Sequence, residues 1–195
     1  RGAPACAGRT NRSRTTTERA KTKVVQEEVG SMTNLMVDLE TLDTRPTSII
    51  LSIGAVFFDA NGLHETFYLP VDIASQKERT WSPSTLKWWM AQNEEARAVF
   101  TEVGVPLDEA LAQFKAFVEL KPDVQVWGNG PDFDNAILQD AYKGSAPWPF
   151  YMNRCFRTMK GLYGTPQIAR VSAHNSLADA KYQAECMVYW LNTEL

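Results

Sequence analysis

The sequence predicts a mixed α/β domain, with a central sheet of antiparallel and parallel strands flanked by helices. Early short apolar runs rich in β-branched and aromatic residues, a following stretch with helical apolar spacing, and a further short run between two helical segments all point to it. Residues 35–39 and 49–58 read as central strands, because such side chains suit a pleated surface covered on both faces. Asp59-Ala60-Asn61-Gly62 supplies turn chemistry, and residues 64–69 resume with apolar Phe67 and Leu69, so the second and third strands are expected to form an antiparallel hairpin. Ser82 as N-cap and Pro83 at the first helical position start a helix carrying Trp88, Trp89 and Met90. Residues 107–120 place Leu107, Leu111, Phe114, Phe117 and Val118 on one helical face, ending at Lys121-Pro122. Residues 124–127 form a fourth strand, Gly128-Asn129-Gly130-Pro131 a turn, and 133–142 a helix. A last helix is expected over about 176–191.

Composition narrows the function classes. The chain has 195 residues, 44% hydrophobic and 11% aromatic, with a formal net charge of −3. That suffices for one domain of roughly 100–200 residues and excludes general disorder, collagen and a disulfide framework. Cys6, Cys155 and Cys186 are odd in number and form no C-x-x-C pair, which fits a reducing cytoplasm. With no apolar run near the roughly 20 residues of a membrane span, no membrane association is expected. Residues 1–31 carry seven basic and three acidic groups, a net of +4, leaving −7 for the remainder. Lacking apolar periodicity and ending in Gly30-Ser31 before Met32, they read as a vector-derived or disordered leader. The alternative is a basic arm that neutralises phosphates. A single domain is expected over residues 32–195.

The carboxylates lie where a core would not put them. Asp38 and Glu40 interrupt the first strand at i and i+2, so strand alternation aims both at one face. Their repulsion is relieved if a divalent cation such as Mg²⁺ or Mn²⁺ sits between them; the alternative is a strand with one wet face. Asp134 follows Phe133 just beyond the fourth strand, a common place for ligand groups in α/β folds, although a carboxylate there also favours a helix N-terminus and Asp132 competes for either role. His174 precedes the last helix and Asp179 falls near its first turn, with Asn175 or Ser176 as cap. His64, the only other histidine, lies in a hairpin strand with no chemistry expected.

D-x-E on the first strand, F-D after the fourth and H-x4-D entering the last helix together resemble the DEDDh 3′→5′ exonucleases of the DnaQ-like, ribonuclease H-like superfamily. DLETLDTRPTSIILSIGAVFFDANG, WGNGPDFDNAIL and HNSLADA resemble its three motifs, and Trp88-Trp89 with Gln92 resembles a subgroup of DexA-type phage exonucleases and a mycobacterial 3′ exoribonuclease. The resemblance implies a ribonuclease H-like sheet and metal-dependent removal of nucleoside 5′-monophosphates from single-stranded or overhanging 3′ ends of DNA or RNA. It implies Asp38, Glu40, Asp134 and Asp179 as ligands of two Mg²⁺ or Mn²⁺ ions and His174 as general base. Thr41 and Leu42 would hold the terminal nucleotide, with Trp88, Trp89, Phe133 and Gln92 as further substrate contacts. Ser52 departs from the pattern, since many relatives carry Glu there. The partner would be nucleic acid with a free 3′ end, and many relatives are homodimers. A catalytically weak nuclease-like nucleic-acid-binding module and a domain acting on free nucleotides are the competing readings.

Overall fold

The computed structural model describes residues 33–170 and 174–195. The basic stretch 1–31 and Met32 lie outside the described residues. Strands β1 (Asn34–Thr41), β2 (Ile50–Asp59) and β3 (Gly62–Pro70) pair antiparallel in sequence, while β4 (Gln125–Gly128) runs parallel to β1 and β5 (Asn153–Cys155) parallel to β4. The order β3-β2-β1-β4-β5 makes β1 the central strand. The expected mixed sheet and its hairpin are both present. No helix among the described residues is long and apolar enough to cross a membrane.

Alternation along β1 divides the core. Leu35, Val37 and Leu39 pack with Ile53, Phe57 and Val126 against Phe114 and Phe117 of α3 (Leu107–Val118) and Ile137 and Leu138 of α4 (Asp134–Ala141). Met36 packs with Val56, Phe58 and Trp127 on the opposite face, against Ala180, Ala184, Met187 and Trp190 of α6 (Ser176–Thr193). Asp38 and Glu40 continue the Met36 row, so the strand's period of two delivers both acids to the side where α6 begins.

Local chemistry sets the helix starts. Ser82 accepts the Thr85 N–H, and Pro83 opens α1 (Pro83–Met90). Asn175 caps α6 by accepting from Ala178 N at 3.0 Å. Phe133, expected as helical, instead has φ −114° and ψ −87° and stands just before α4. The helix read over 107–120 ends at Val118. Two features escaped the pattern: α2 (Glu94–Arg97), a single turn, and the pair β5 and α5 (Phe156–Tyr163). β5 has three residues and α5 buries only Phe156, too little for apolar periodicity to register.

Gly54 on β2 lets α6 approach the sheet. A Cβ there would lie 2.2 Å from the Ser176 carbonyl carbon and 2.3 Å from Leu177 N, both rigid backbone. Gly54→Ala is therefore expected to destabilise the fold by about 1–3 kcal/mol, the usual range for overpacking. Urea unfolding checks this; an unchanged midpoint would show that α6 is not seated through this contact.

Candidate active site

Five side chains predicted from three distant stretches converge where β1 outruns β4. Pairing of β1 with β4 stops at Met36↔Trp127, and beyond it the Leu39 N–H donates to Asp134 Oδ1 at 3.1 Å. Asn129 N–H donates to the other Asp134 oxygen at 3.0 Å. Asp134 is thus clamped beside the β1 acids by backbone donors on both sides. Gly128 makes room for it, since a Cβ there would fall 2.4 Å from Asn135 Oδ1 and 3.1 Å from Asp134 Oδ2. On α6, Asp179 Oδ2 accepts the His174 backbone N–H at 3.1 Å. His174 takes the left-handed conformation, φ +64°, as the chain turns into the helix. Its ring lies edge-on to Trp88, with centroids 4.7 Å apart, and 6.3 Å from the Trp89 ring.

Burial and like charge work together on these acids. Desolvation pushes the Asp38 carboxyl well above its ordinary range, Asp134, Glu40 and Asp179 push it further, and the Gln183 amide, donating at 2.7 Å, opposes them. Glu40 is pushed up to about 8, first by burial and then by Asp179 and Asp134. Burial also raises Asp134 to about 7, against its backbone donors and the charge of Arg157. Such shifts favour the neutral acids unless a cation compensates. Glu40, His174 and Asp179 each offer a ligand atom, and these atoms all lie within 4.8 Å of one another. A donor set dominated by carboxylate oxygen suits a hard divalent ion.

Beside the acids opens a cavity of about 440 Å³, walled by Glu40, Thr41, Thr85, Trp88, Trp89 and Phe133 among others. The adjacent tryptophans, about 100° apart on the helix, divide their roles. Trp89 is 2% exposed and donates from Nε1 to the Thr41 carbonyl at 2.8 Å, while Trp88 is 43% exposed. Two residues expected at the substrate are engaged outside the lining of this cavity. Leu42 packs into a small core with Ile49, Leu51 and Trp89, its N–H donated to Ile49 O at 3.0 Å. Gln92 is not among the lining residues; its amide donates to the Trp88 carbonyl at the helix end.

Sequence reasoning missed Gln183, Arg170 and the link from Ser52 to Ser176. Gln183 was within reach, because it follows Asp179 by four residues on one helix and so shares its face. Arg170, bonded to Asp179 Oδ1, sits in an irregular segment without a pattern. Ser52, paired with Glu40 across the strands, meets Ser176 Oγ at 2.9 Å and ties β2 to the start of α6.

The family model described as the 3′-5′ exoribonuclease Rv2179c-like domain matches residues 33–191. The chain belongs to this family. An exodeoxyribonuclease of Enterobacteria phage T4 is 28% identical to this Rv2179c-like domain over 125 residues, 56% of this chain and 55% of that protein. The chain thus spans about half the length of the curated relative it matches. Among solved structures, a zinc-bound E. coli ExoI–ssDNA complex superposes with a TM-score of 0.59 at 18% identity, covering 84% of this chain and 41% of that one. E. coli exonuclease I with a dT13 oligonucleotide gives 0.60 at 17% identity, with the same coverages. The structural likenesses are of fold and bear out the ribonuclease H-like sheet, while the family match bears out the resemblance to 3′→5′ exonucleases.

The raised carboxyls make the metal-free domain pH-sensitive. A carboxyl whose folded pKa exceeds its unfolded value stabilises the fold below the unfolded pKa, and that contribution is lost as pH rises through the folded one. In EDTA, Glu40 alone is expected to make stability fall between about pH 4.5 and 8, and Glu40→Gln should flatten that fall. Melting temperatures across the window check this. Equal slopes for both proteins would contradict the shift.

Proposed function

We propose that this chain is a metal-dependent 3′→5′ exonuclease that hydrolyses phosphodiester bonds at single-stranded or overhanging 3′ ends of DNA or RNA, releasing nucleoside 5′-monophosphates. The observation that carries this reading is the meeting of Asp38, Glu40, Asp134, Asp179 and His174 in one cluster, joined to the 440 Å³ cavity through Glu40, which lines it, and through Trp88, which lines it and touches the His174 ring. That volume falls within the roughly 300–1,000 Å³ of small-molecule sites. Family membership and the phage exodeoxyribonuclease relative support the reaction class, one name pointing to RNA and the other to DNA.

Asp38, Glu40, Asp134 and Asp179 would hold two Mg²⁺ or Mn²⁺ ions. Bound divalent ions neutralise the phosphodiester and acidify the attacking water. In this reading the chain's own groups do the rest. His174, its ring against Trp88 and its backbone N–H bonded to Asp179, accepts the water's proton at an imidazole nitrogen. Thr41, Phe133 and Trp88 hold the terminal nucleoside, and Trp88 offers an exposed ring face for stacking. Trp89 and Leu42 support that wall from behind.

Residues 32–195 form the single catalytic domain in this proposal. Its cysteines Cys155 and Cys186 are free, which suits a cytoplasmic setting. The resemblance adds a homodimer, which light scattering tests through a mass twice that of one chain.

Single strands labelled at either end, of DNA and of RNA, should shorten from the 3′ end and stop shortening in EDTA. Internal cuts or unchanged strands would refute the assignment. His174→Ala is expected to lower kcat about 10²–10⁴-fold while retaining metal binding in calorimetry; an unchanged kcat would remove His174 as base. Asp38→Asn should abolish turnover yet raise the metal-free melting temperature, because it removes the charge that burial and three neighbouring acids disfavour. A lower melting temperature would contradict the charge crowding.

A further inference from the structure

The acidic cluster already has a cation of its own. Arg170 donates from Nη2 at 2.7 Å and from Nε at 3.1 Å to one oxygen of Asp179, Oδ1. Its guanidinium carbon stands 5.6 Å from the centre of the Tyr182 ring. The Asp179 side chain is 8% accessible and that of Arg170 45%, so the pair runs from the interior of the cluster to its outer edge. The second oxygen, Oδ2, is engaged by the His174 N–H.

Two donors on Oδ1 use both of its lone pairs. With the His174 backbone N–H on Oδ2, three donors already engage the Asp179 carboxylate, so a divalent ion held by the neighbouring acids Glu40 and Asp179 competes with the guanidinium for it, and the two cations repel each other at such short range. An arginine does not escape by losing its proton; it keeps its charge and its five planar donors. Once parted from a carboxylate, the fork matches one other group that a nuclease site receives, the phosphate, which it can grip through paired N–H···O bonds. Tyr182 gives the guanidinium a ring to rest on while it changes partner.

Resting on the reading of this cluster as a divalent-metal site, we propose that Arg170 is an exchangeable counter-cation: it holds Asp179 in the metal-free protein, yields it to the incoming metal, and then binds a phosphate of the nucleic-acid strand. Metal occupancy thereby raises substrate affinity through a protein side chain as well as through the charge of the metal. Arg170 is a substrate-binding residue in the loaded protein and a stand-in for the metal in the empty one.

The test compares wild type, Arg170→Ala and Arg170→Lys. Mn²⁺ is titrated without nucleic acid, with free Mn²⁺ read by electron paramagnetic resonance. A single-stranded oligonucleotide is then titrated at saturating Ca²⁺, over a range of salt concentrations. Arg170→Ala should bind Mn²⁺ several-fold tighter than wild type, with the lysine variant between them. It should bind the oligonucleotide about tenfold more weakly, with a salt slope shallower by about one phosphate contact. Mn²⁺ affinity that is equal or weaker in Arg170→Ala overturns the exchange, and unchanged oligonucleotide affinity and salt slope overturn the phosphate contact. If wild type takes up no Mn²⁺, the metal reading itself fails and the inference falls with it. Circular dichroism of all three proteins separates these results from misfolding.

Discussion

Repulsion among carboxylates at the end of one central strand is the constraint around which this domain is organised. Asp38 and Glu40 share a face because a strand repeats every two residues, and the packing that makes β1 central buries Glu40 and half-buries Asp38. Asp134 and Asp179 are then brought in from α4 and α6, so charge of one sign accumulates where desolvation is already costly. Left alone, the cluster opposes folding; supplied with a cation, it becomes a binding site. The same electrostatics that make the site expensive give it affinity for metal and, through metal, for an anionic strand.

The scaffold spends several precise features on holding that arrangement. Leu39 and Asn129 donate backbone N–H groups to Asp134 from two sides, and Gly128 leaves the space it needs. Gly54 and the Ser52–Ser176 bond let the first turn of α6 lie against β2, which sets Asp179 and His174 opposite the β1 acids. Trp89 anchors the α1 wall to the Thr41 carbonyl, leaving Trp88 to face both the cavity and His174. Binding surface and proton acceptor are thus mechanically joined through one aromatic side chain.

Much of this was legible in the residues alone. Strand alternation placed Asp38 and Glu40 on one face, turn chemistry placed Asp134 at a strand exit, Ser82 marked the start of α1, and Asn175 or Ser176 marked that of α6, where the structure selects Asn175. These signals are local, which is why one sequence reveals them. Other features depend on what comes near in space. Which tryptophan is buried depends on the bond from Trp89 Nε1 to the distant Thr41 carbonyl, and the Leu42 side chain is turned into the small core with Ile49, Leu51 and Trp89. Arg170 bonds across nine residues from a segment without periodicity. β5 and α5 together bury too few apolar side chains to imprint a pattern.

Metal binding to such a cluster should displace protons as well as fill space. Isothermal titration of Mn²⁺ at a pH between about 7 and 8, in two buffers of different ionisation enthalpy, reads that directly. With Glu40 pushed up to about 8 and Asp134 to about 7, the binding heat should differ between buffers by an amount that reports net proton release. Identical heats in the two buffers would mean that the empty acids are already ionised, contradicting the central role given to their crowding.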